Sequence, residues 1–184
     1  MNRSRILLGV GGGIAAYKAA DLCSKLAQAD YDVQVVMTAS ALEFIGASTF
    51  AALSGRTPAT KRFDEQFPLG SHIELARDRD AFVIAPATAN LLSKLAHGTA
   101  DDLLSTTYLQ CTAPTLIAPA MSDAMWRQPS VQRNVTTLKQ DGCHLIGPEK
   151  GWLSCRKEGM GRMSDPATIV SRVQTIIDSI PAKS

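Results

Sequence analysis

The chain of 184 residues has little of what marks several large classes of protein. Aromatic residues make up 5% of it, too few for a surface on which nucleic-acid bases stack. Its 19 basic and 17 acidic residues are interspersed and leave a net charge of +2, so there is no basic patch or charged tail. We therefore expect no nucleic-acid partner.

Cysteine and long apolar runs are also scarce. The four cysteines stand far apart with no Cys-x-x-Cys pair, which argues against a structural zinc site and against a disulfide framework. No apolar run approaches the roughly 18 residues that cross a bilayer. The apolar stretch 6–10 runs into three glycines and then a helical pattern, unlike a signal peptide. These features predict a cytoplasmic protein without a metal or a membrane anchor.

Short apolar runs alternate with helical patterns along most of the chain. Strands are predicted at 6–10, 33–37, 81–85, 115–118 and 144–146, with Pro86 ending the third. Between them we expect helices, including one over 42–53, a short one over 72–77 and a last one capped by Asp165. Residues 56–70 and 147–164 are predicted to be irregular. This order predicts one α/β domain, 1–184, with a doubly wound, Rossmann-like (flavodoxin-like) parallel sheet and helices on both faces.

The loop after the first strand is rich in glycine, which lets backbone N–H groups approach a phosphate at a helix N-terminus. Residues 11–16 fit the loose dinucleotide pattern GxGxxA, but that pattern also needs an acid after the second strand to hold a ribose. Here Thr38 and Ser40 stand instead, and hydroxyls suit a phosphate better. A mononucleotide is therefore favoured over NAD, the alternative being a glycine turn needed only for packing.

Polar residues and methionines follow the third and fourth strands. Thr88 and Asn90 place a hydroxyl and an amide at the start of a helix, although an N-cap explains Thr88 equally well. Residues 121–126 contain two methionines and a tryptophan, soft walls for a flat aromatic ligand. A corner of the core with Ser122 as N-cap is the alternative interpretation.

One histidine and one cysteine are candidate catalytic residues. His72 opens a short helix after a loop with proline and glycine, and is a candidate general base. Cys155 lies in a glycine-rich segment, a candidate mobile lid, beside Arg156 and Lys157, whose charge favours a reactive thiolate. The other histidines and cysteines are interpreted as structural: His97, His144, Cys23, Cys111 and Cys143.

Five segments, in order and spacing, resemble the homo-oligomeric flavin-containing cysteine decarboxylases. The likeness covers roughly residues 5–166 and is strongest at 12–18, 72–76, 85–90, 98–104 and 119–126. It implies decarboxylation of a cysteine-containing substrate, with 4'-phosphopantothenoylcysteine of coenzyme A synthesis as the expected one. The family binds FMN without a covalent bond, and the positions implied to contact it are Gly12, Gly13, Ile14, Thr38, Ser40, Thr88, Ala89, Asn90, Leu91 and Ala120.

The resemblance also implies a reaction and an assembly. The flavin accepts two electrons from the cysteine moiety, the carboxylate leaves from the resulting thioaldehyde, and the reduced flavin then returns the electrons. His72 would act as acid and base, Cys155 on the substrate lid would give a proton, and Met121 and Ser122 would contact the substrate. Family members share active sites within trimers, so a homotrimer or homododecamer is expected.

Two positions depart from the family pattern. In the motif PxMNxxMW an asparagine holds the substrate carboxylate, whereas this chain has Ser122, which is shorter and lacks the amide donors. Arg156 and Lys157 follow Cys155, where the family usually has glycine and an acid. An FMN-dependent reductase acting on a substrate without that carboxylate is therefore an alternative.

Two further alternatives have less support. A prenyl-FMN synthase would lack the motif at 119–126, which is present. A non-enzymatic flavin-binding regulatory subunit would carry long acidic extensions, and this chain has none.

Overall fold

A computed structural model describes residues 3–180 of the chain. The predicted domain 1–184 therefore includes positions 1–2 and 181–184, which lie outside the described residues. The strands are Arg5–Val10 (β1), Asp32–Met37 (β2), Ala81–Ala87 (β3), Thr115–Pro119 (β4), His144–Leu145 (β5), Glu149–Leu153 (β6) and Lys157–Arg162 (β7). The helices are Ala16–Gln28 (α1), Ala39–Leu42 (α2), Ala47–Ser54 (α3), Ser71–Ala76 (α4), Ala89–His97 (α5), Leu103–Gln110 (α6), Asp123–Trp126 (α7), Pro129–Gln140 (α8) and Pro166–Asp178 (α9).

The first five strands form one parallel sheet in the order β2-β1-β3-β4-β5. Alternate side chains of each strand enter two separate cores, as the pleat requires. Leu8 packs in the core that α1, α3 and α9 cover, whereas Leu7 packs in the core beneath α4, α5, α6 and α8. The predicted doubly wound α/β fold is confirmed, and its strands are buried because helices cover both faces.

Two predicted boundaries are wrong. Strand β3 does not stop at Pro86 but continues to Ala87. Although proline has no N–H to donate, its carbonyl accepts a hydrogen bond from the Gly11 N–H at 3.1 Å, so Pro86 still takes part in the hydrogen bonding at the end of the strand. The single helix predicted over 42–53 is two helices, α2 and α3. Gly46 separates them with an extended backbone (ψ 144°) and serves as the N-cap of α3.

The segment 147–164 is not irregular, because β6 and β7 form an antiparallel hairpin within it. Gly151 pairs with Gly159 and Trp152 with Glu158, so the strands lack the apolar alternation from which a half-buried strand is predicted. The last helix is as predicted, with the Asp165 carboxylate accepting a hydrogen bond from the Ala167 N–H at 2.9 Å. Within residues 3–180, no helix is both long and apolar enough to cross a bilayer.

Candidate active site

The loops that follow β1, β2, β3 and β4 surround a cavity of about 840 Å³. This volume lies in the range of small-molecule sites, and its position is the expected one for a ligand of a doubly wound sheet. The cavity is lined by all the residues predicted to bind cofactor and substrate apart from the catalytic pair: Gly12, Gly13, Ile14, Thr38, Ser40, Thr88, Ala89, Asn90, Leu91, Ala120, Met121 and Ser122.

The glycine loop fits tightly against its neighbours. A Cβ added to Gly11 would lie 2.5 Å from the carbonyl oxygen of Pro86, so no side chain is accommodated there. The loop leads directly into α1, whose first turn begins with the Ala16 N–H donating to the Gly13 carbonyl at 2.9 Å. The N-terminus of α1 therefore borders the cavity, where its N–H groups attract an anion.

The two hydroxyls after β2 have different roles. Thr38 caps α2, because its Oγ1 accepts a hydrogen bond from the Ala41 N–H at 3.2 Å. Ser40 is exposed in the first turn of α2 and lines the cavity. Of this pair, Ser40 is the hydroxyl better placed to bind a phosphate.

Thr88 and Ser122 are the N-caps of α5 and α7. Thr88 accepts a hydrogen bond from the Leu91 N–H at 3.3 Å, and Ser122 accepts one from the Met125 N–H at 3.4 Å, so each is an N-cap. Each also lines the cavity. A cap at the carboxyl end of a strand is held at the ligand site by the same turn that starts the helix.

Charged residues at the cavity were not predicted as site residues. Lys94 pairs with Asp101 at 2.7 Å and with Asp102 at 2.8 Å. Burial acts to raise the pKa of Asp102, but the hydrogen bonds from Lys94 and Ser105 outweigh it and hold the pKa below its usual value. Lys94 and Asp102 therefore both stay charged at neutral pH in the lining of the cavity.

Lys18 and Arg162 also line the cavity. The Lys18 ammonium donates to the Met163 carbonyl at 2.9 Å, and burial, then the charge of Arg162, lower the pKa of Lys18. Lys18 could have been recognised from the sequence as a candidate site residue, because it stands among apolar residues of α1, one residue before the buried Ala19.

The hairpin β6–β7 forms one wall of the cavity. Trp152, Leu153 and Ser154 line it from the β6 side, and the end of β7 lines it from the other. The rim is apolar, because Ile14, Tyr17, Met125 and Trp152 are 58%, 63%, 45% and 65% exposed. An apolar mouth above a glycine loop suits a ligand with a flat ring and an anionic tail.

The two candidate catalytic residues lie outside this lining. Cys155 is exposed at the hairpin turn and directly follows the lining residue Ser154 in the chain, but it does not line the cavity itself. His72 is half-buried in the first turn of α4, and the lining of the cavity does not include it. One copy of the chain therefore places Cys155 next to a lining residue in the sequence, whereas neither chain neighbour of His72 lines the cavity.

The fold and this cavity define a nucleotide-binding α/β protein. The chain belongs to the flavoprotein family, whose model matches residues 1–178.

The relatives include two bifunctional proteins of coenzyme A biosynthesis named CoaBC. The one from Bacillus subtilis is 49% identical over 171 residues, and the one from Haemophilus influenzae is 44% identical over 170 residues. Each match covers 92% of this chain and 42% of the relative. The chain therefore spans less than half the length of these curated relatives.

Two solved structures are similar over nearly their whole length. A PPC decarboxylase mutant complexed with pantothenoylaminoethenethiol has a TM-score of 0.86 and 32% identity, covering 97% of this chain and 100% of that one. The FMN-dependent cysteine decarboxylase SpaF has a TM-score of 0.84 and 34% identity, covering 96% and 98%.

Proposed function

We propose that the chain is an FMN-dependent decarboxylase that converts 4'-phosphopantothenoylcysteine to 4'-phosphopantetheine in coenzyme A biosynthesis. The observation that carries this proposal is the cavity, which collects every predicted cofactor residue at the carboxyl ends of the strands. The comparisons support the same activity. The CoaBC relatives are more than twice as long as this chain, but it matches the PPC decarboxylase structure end to end.

The residues present fit FMN. The N–H groups of the loop 12–14 and the Ser40 hydroxyl would hold its phosphate, and residues 88–91 with Ala120 would contact the rest of the cofactor. The close approach of Gly11 to Pro86 supports this assignment, because the loop is shaped for backbone rather than side-chain contact. When bound, FMN supplies a two-electron acceptor next to the substrate.

The protein's own groups would handle protons and position the substrate. Cys155 would donate a proton from the hairpin that borders the cavity, and Met121 and Ser122 would contact the substrate from the loop after β4. His72 would act as acid and base. An anionic substrate is supported by Lys18 and Arg162 at the cavity, two cations within one wall.

The active site is proposed to be shared between subunits of a homotrimer, or of a dodecamer built from trimers. Two observations support sharing: neither His72 nor its chain neighbours line the cavity of their own chain, and apolar side chains are exposed at the cavity and around the end of α2. Among them, Leu42 and Phe44 are 39% and 53% exposed. A neighbouring copy seated there would cover apolar surface and bring its His72 to the site. The predicted cytoplasmic location stays a prediction.

Ser122 favours a second candidate, an FMN-dependent reductase of a substrate without the carboxylate. Its hydroxyl accepts the Met125 N–H and has one O–H to donate to a substrate carboxylate, whereas an asparagine amide has two N–H donors on a longer side chain. Two assays separate the candidates. A decarboxylase releases carbon dioxide from 4'-phosphopantothenoylcysteine, whereas a reductase releases none and its substrate reoxidises FMN that has first been reduced with dithionite. Inactivity of the FMN-loaded protein in both assays would favour a regulatory flavin-binding protein.

A further inference from the structure

Strand β7 is hydrogen bonded to the loop that follows β4. The Met121 N–H donates to the Gly161 carbonyl at 3.0 Å, and the Met160 N–H donates to the Asp123 carboxylate at 2.9 Å. These bonds join segments about forty residues apart in the chain. They fix the hairpin to the segment that contains Ser122.

Glycines in β7 allow this contact. A Cβ added to Gly159 would lie 2.7 Å from the Cβ of Asp123, and one added to Gly161 would lie 2.1 Å from the Met121 carbonyl oxygen. Gly161 also has a φ of +140°, which side chains rarely adopt. The strand therefore lies directly on the loop, in close contact with both Met121 and Asp123.

Arg127 holds the Asp123 side chain in place. Its Nη2 donates to one carboxylate oxygen at 3.1 Å, and its Nε lies 2.8 Å from the other. The hydrogen bond from Arg127, and then the one from Met160, lower the pKa of Asp123. The acceptor for the Met160 N–H is thus a charged, oriented oxygen, which makes a stronger bond than a neutral acceptor would.

The position of the hairpin determines where several residues of the site lie. Its β6 strand supplies Trp152 and Leu153 to the cavity, and its turn carries Cys155. The proposed FMN contacts come from other loops. We propose that Asp123 is a positioning residue that latches the β6–β7 hairpin over the cavity and so places Cys155 at the substrate; its effect on the reaction rests on the proposed function.

The latch is tested on the FMN-loaded protein without any substrate. Hydrogen exchange at the Met160 amide and tryptic cleavage after Arg156 or Lys157 both report opening of the hairpin. We expect Asp123→Ala to speed both by about tenfold or more, the effect of losing one hydrogen bond to a charged group. Asp123→Glu, which displaces the carboxylate from the Met160 N–H, is a second disrupting variant with the same expected result.

Matched variants distinguish opening of the β6–β7 hairpin from destabilisation of the whole domain. Asp123→Asn keeps an oxygen acceptor without its charge, and Arg127→Ala keeps the carboxylate without its partner, so each should speed exchange by less than Asp123→Ala does. Gly161→Ala pushes β7 off the loop and should open the hairpin. The proposal is overturned if Gly161→Ala speeds exchange while Asp123→Ala and Asp123→Glu do not, or if the β1 amides speed up equally with Met160.

The KM and the product of the reaction distinguish a positioning role of Asp123 from a purely structural one. With 4'-phosphopantothenoylcysteine, Asp123→Ala should keep its FMN content, raise KM, and release part of its product two hydrogens short, since Cys155 is no longer held at the substrate. Normal product and unchanged KM with an opened hairpin would remove the positioning role. A wild-type protein that releases no carbon dioxide would refute the proposed function, while the exchange result would still decide the latch.

Discussion

Gly12 meets Ser40 so closely that a Cβ added to the glycine would lie 2.3 Å from the Cβ of the serine. The two residues follow β1 and β2, which are neighbours in the sheet. The contact joins the loop that starts α1 to the first turn of α2, and both border the cavity. The proposed phosphate site is therefore one rigid unit made from two loops.

Gly12→Ala should abolish most FMN binding, because the added methyl group displaces either the glycine loop or Ser40. The measurement is flavin released on denaturation per mole of folded protein. Gly46→Ala is the control, since its Cβ would have Ser48 Oγ as its nearest neighbour at 3.5 Å, an ordinary contact outside the cavity. Full FMN content in Gly12→Ala would argue against this loop as the phosphate site.

Asp102→Asn tests the ion pair with Lys94 through pH. Asparagine also caps a helix, so chiefly the charge is lost. Because the folded-state pKa of Asp102 is lowered, its stabilisation is present above the unfolded value of about 3.9 and disappears as pH falls through the folded value. We expect the variant to be about 1 kcal/mol less stable at pH 7, and the difference to shrink below about pH 4. Urea unfolding at both pH values measures it; a pH-independent difference would contradict the assignment.

The sequence predicts the parallel sheet because its strands are short apolar runs buried on both faces, such as Leu7 and Leu8 in β1. The β6–β7 hairpin could not be predicted, because its strands contain glycines such as Gly151 and Gly159 where an apolar residue would mark the buried face of a strand. Asp123 could not be predicted either, since its partner Met160 is 37 residues away and the contact exists only in the folded chain. The glycine loop indicates a phosphate from its own residues, whereas the roles of His72 and Cys155 depend on the family resemblance.

Ser122→Asn tests the departure from the family motif. Asparagine is an equally good N-cap, so the fold should tolerate it. Asp123 and Arg127 are bonded to each other, so neither readily replaces the missing carboxylate contact. In a decarboxylase, turnover should rise about tenfold or more, because hydrogen bonds to charged groups contribute about 1.5–3 kcal/mol.

The same variant separates the two enzyme candidates. In a reductase the longer amide would crowd the ligand, native activity would fall and no decarboxylation would appear. Ser122→Ala is the matched control. Unchanged turnover in both Ser122→Asn and Ser122→Ala would show that this position does not determine the substrate.

Cys155→Ser should block the final reduction but leave oxidation and loss of carbon dioxide possible, because a serine hydroxyl gives up its proton far less readily than a thiol. Mass spectrometry should find a decarboxylated product lighter by two hydrogens than the normal one. Cys111→Ser is the control and should give normal product, because Cys111 packs against the core that contains Leu7 and is not part of the hairpin. Wild-type rate and product from Cys155→Ser would exclude this cysteine from the reaction.

If active sites are shared between subunits, oligomers that contain two different inactive variants should recover activity. His72→Asn and Cys155→Ser should each make little normal product alone. Co-expressed, they should regain part of it, because some sites then combine an intact His72 from one chain with an intact Cys155 from another. Light scattering should give a mass that is a multiple of three chains. A monomer, or mixtures with no recovery, would place both residues in one chain.

The proposed activity is the removal of carbon dioxide from a cysteine-containing substrate with FMN. The most direct measurement is anaerobic incubation of the FMN-loaded protein with 4'-phosphopantothenoylcysteine, followed by mass spectrometry of the product. We expect a product lighter than the substrate by one carbon dioxide, with the flavin oxidised again at the end. Recovery of intact substrate, with FMN bound and the protein folded, would contradict it.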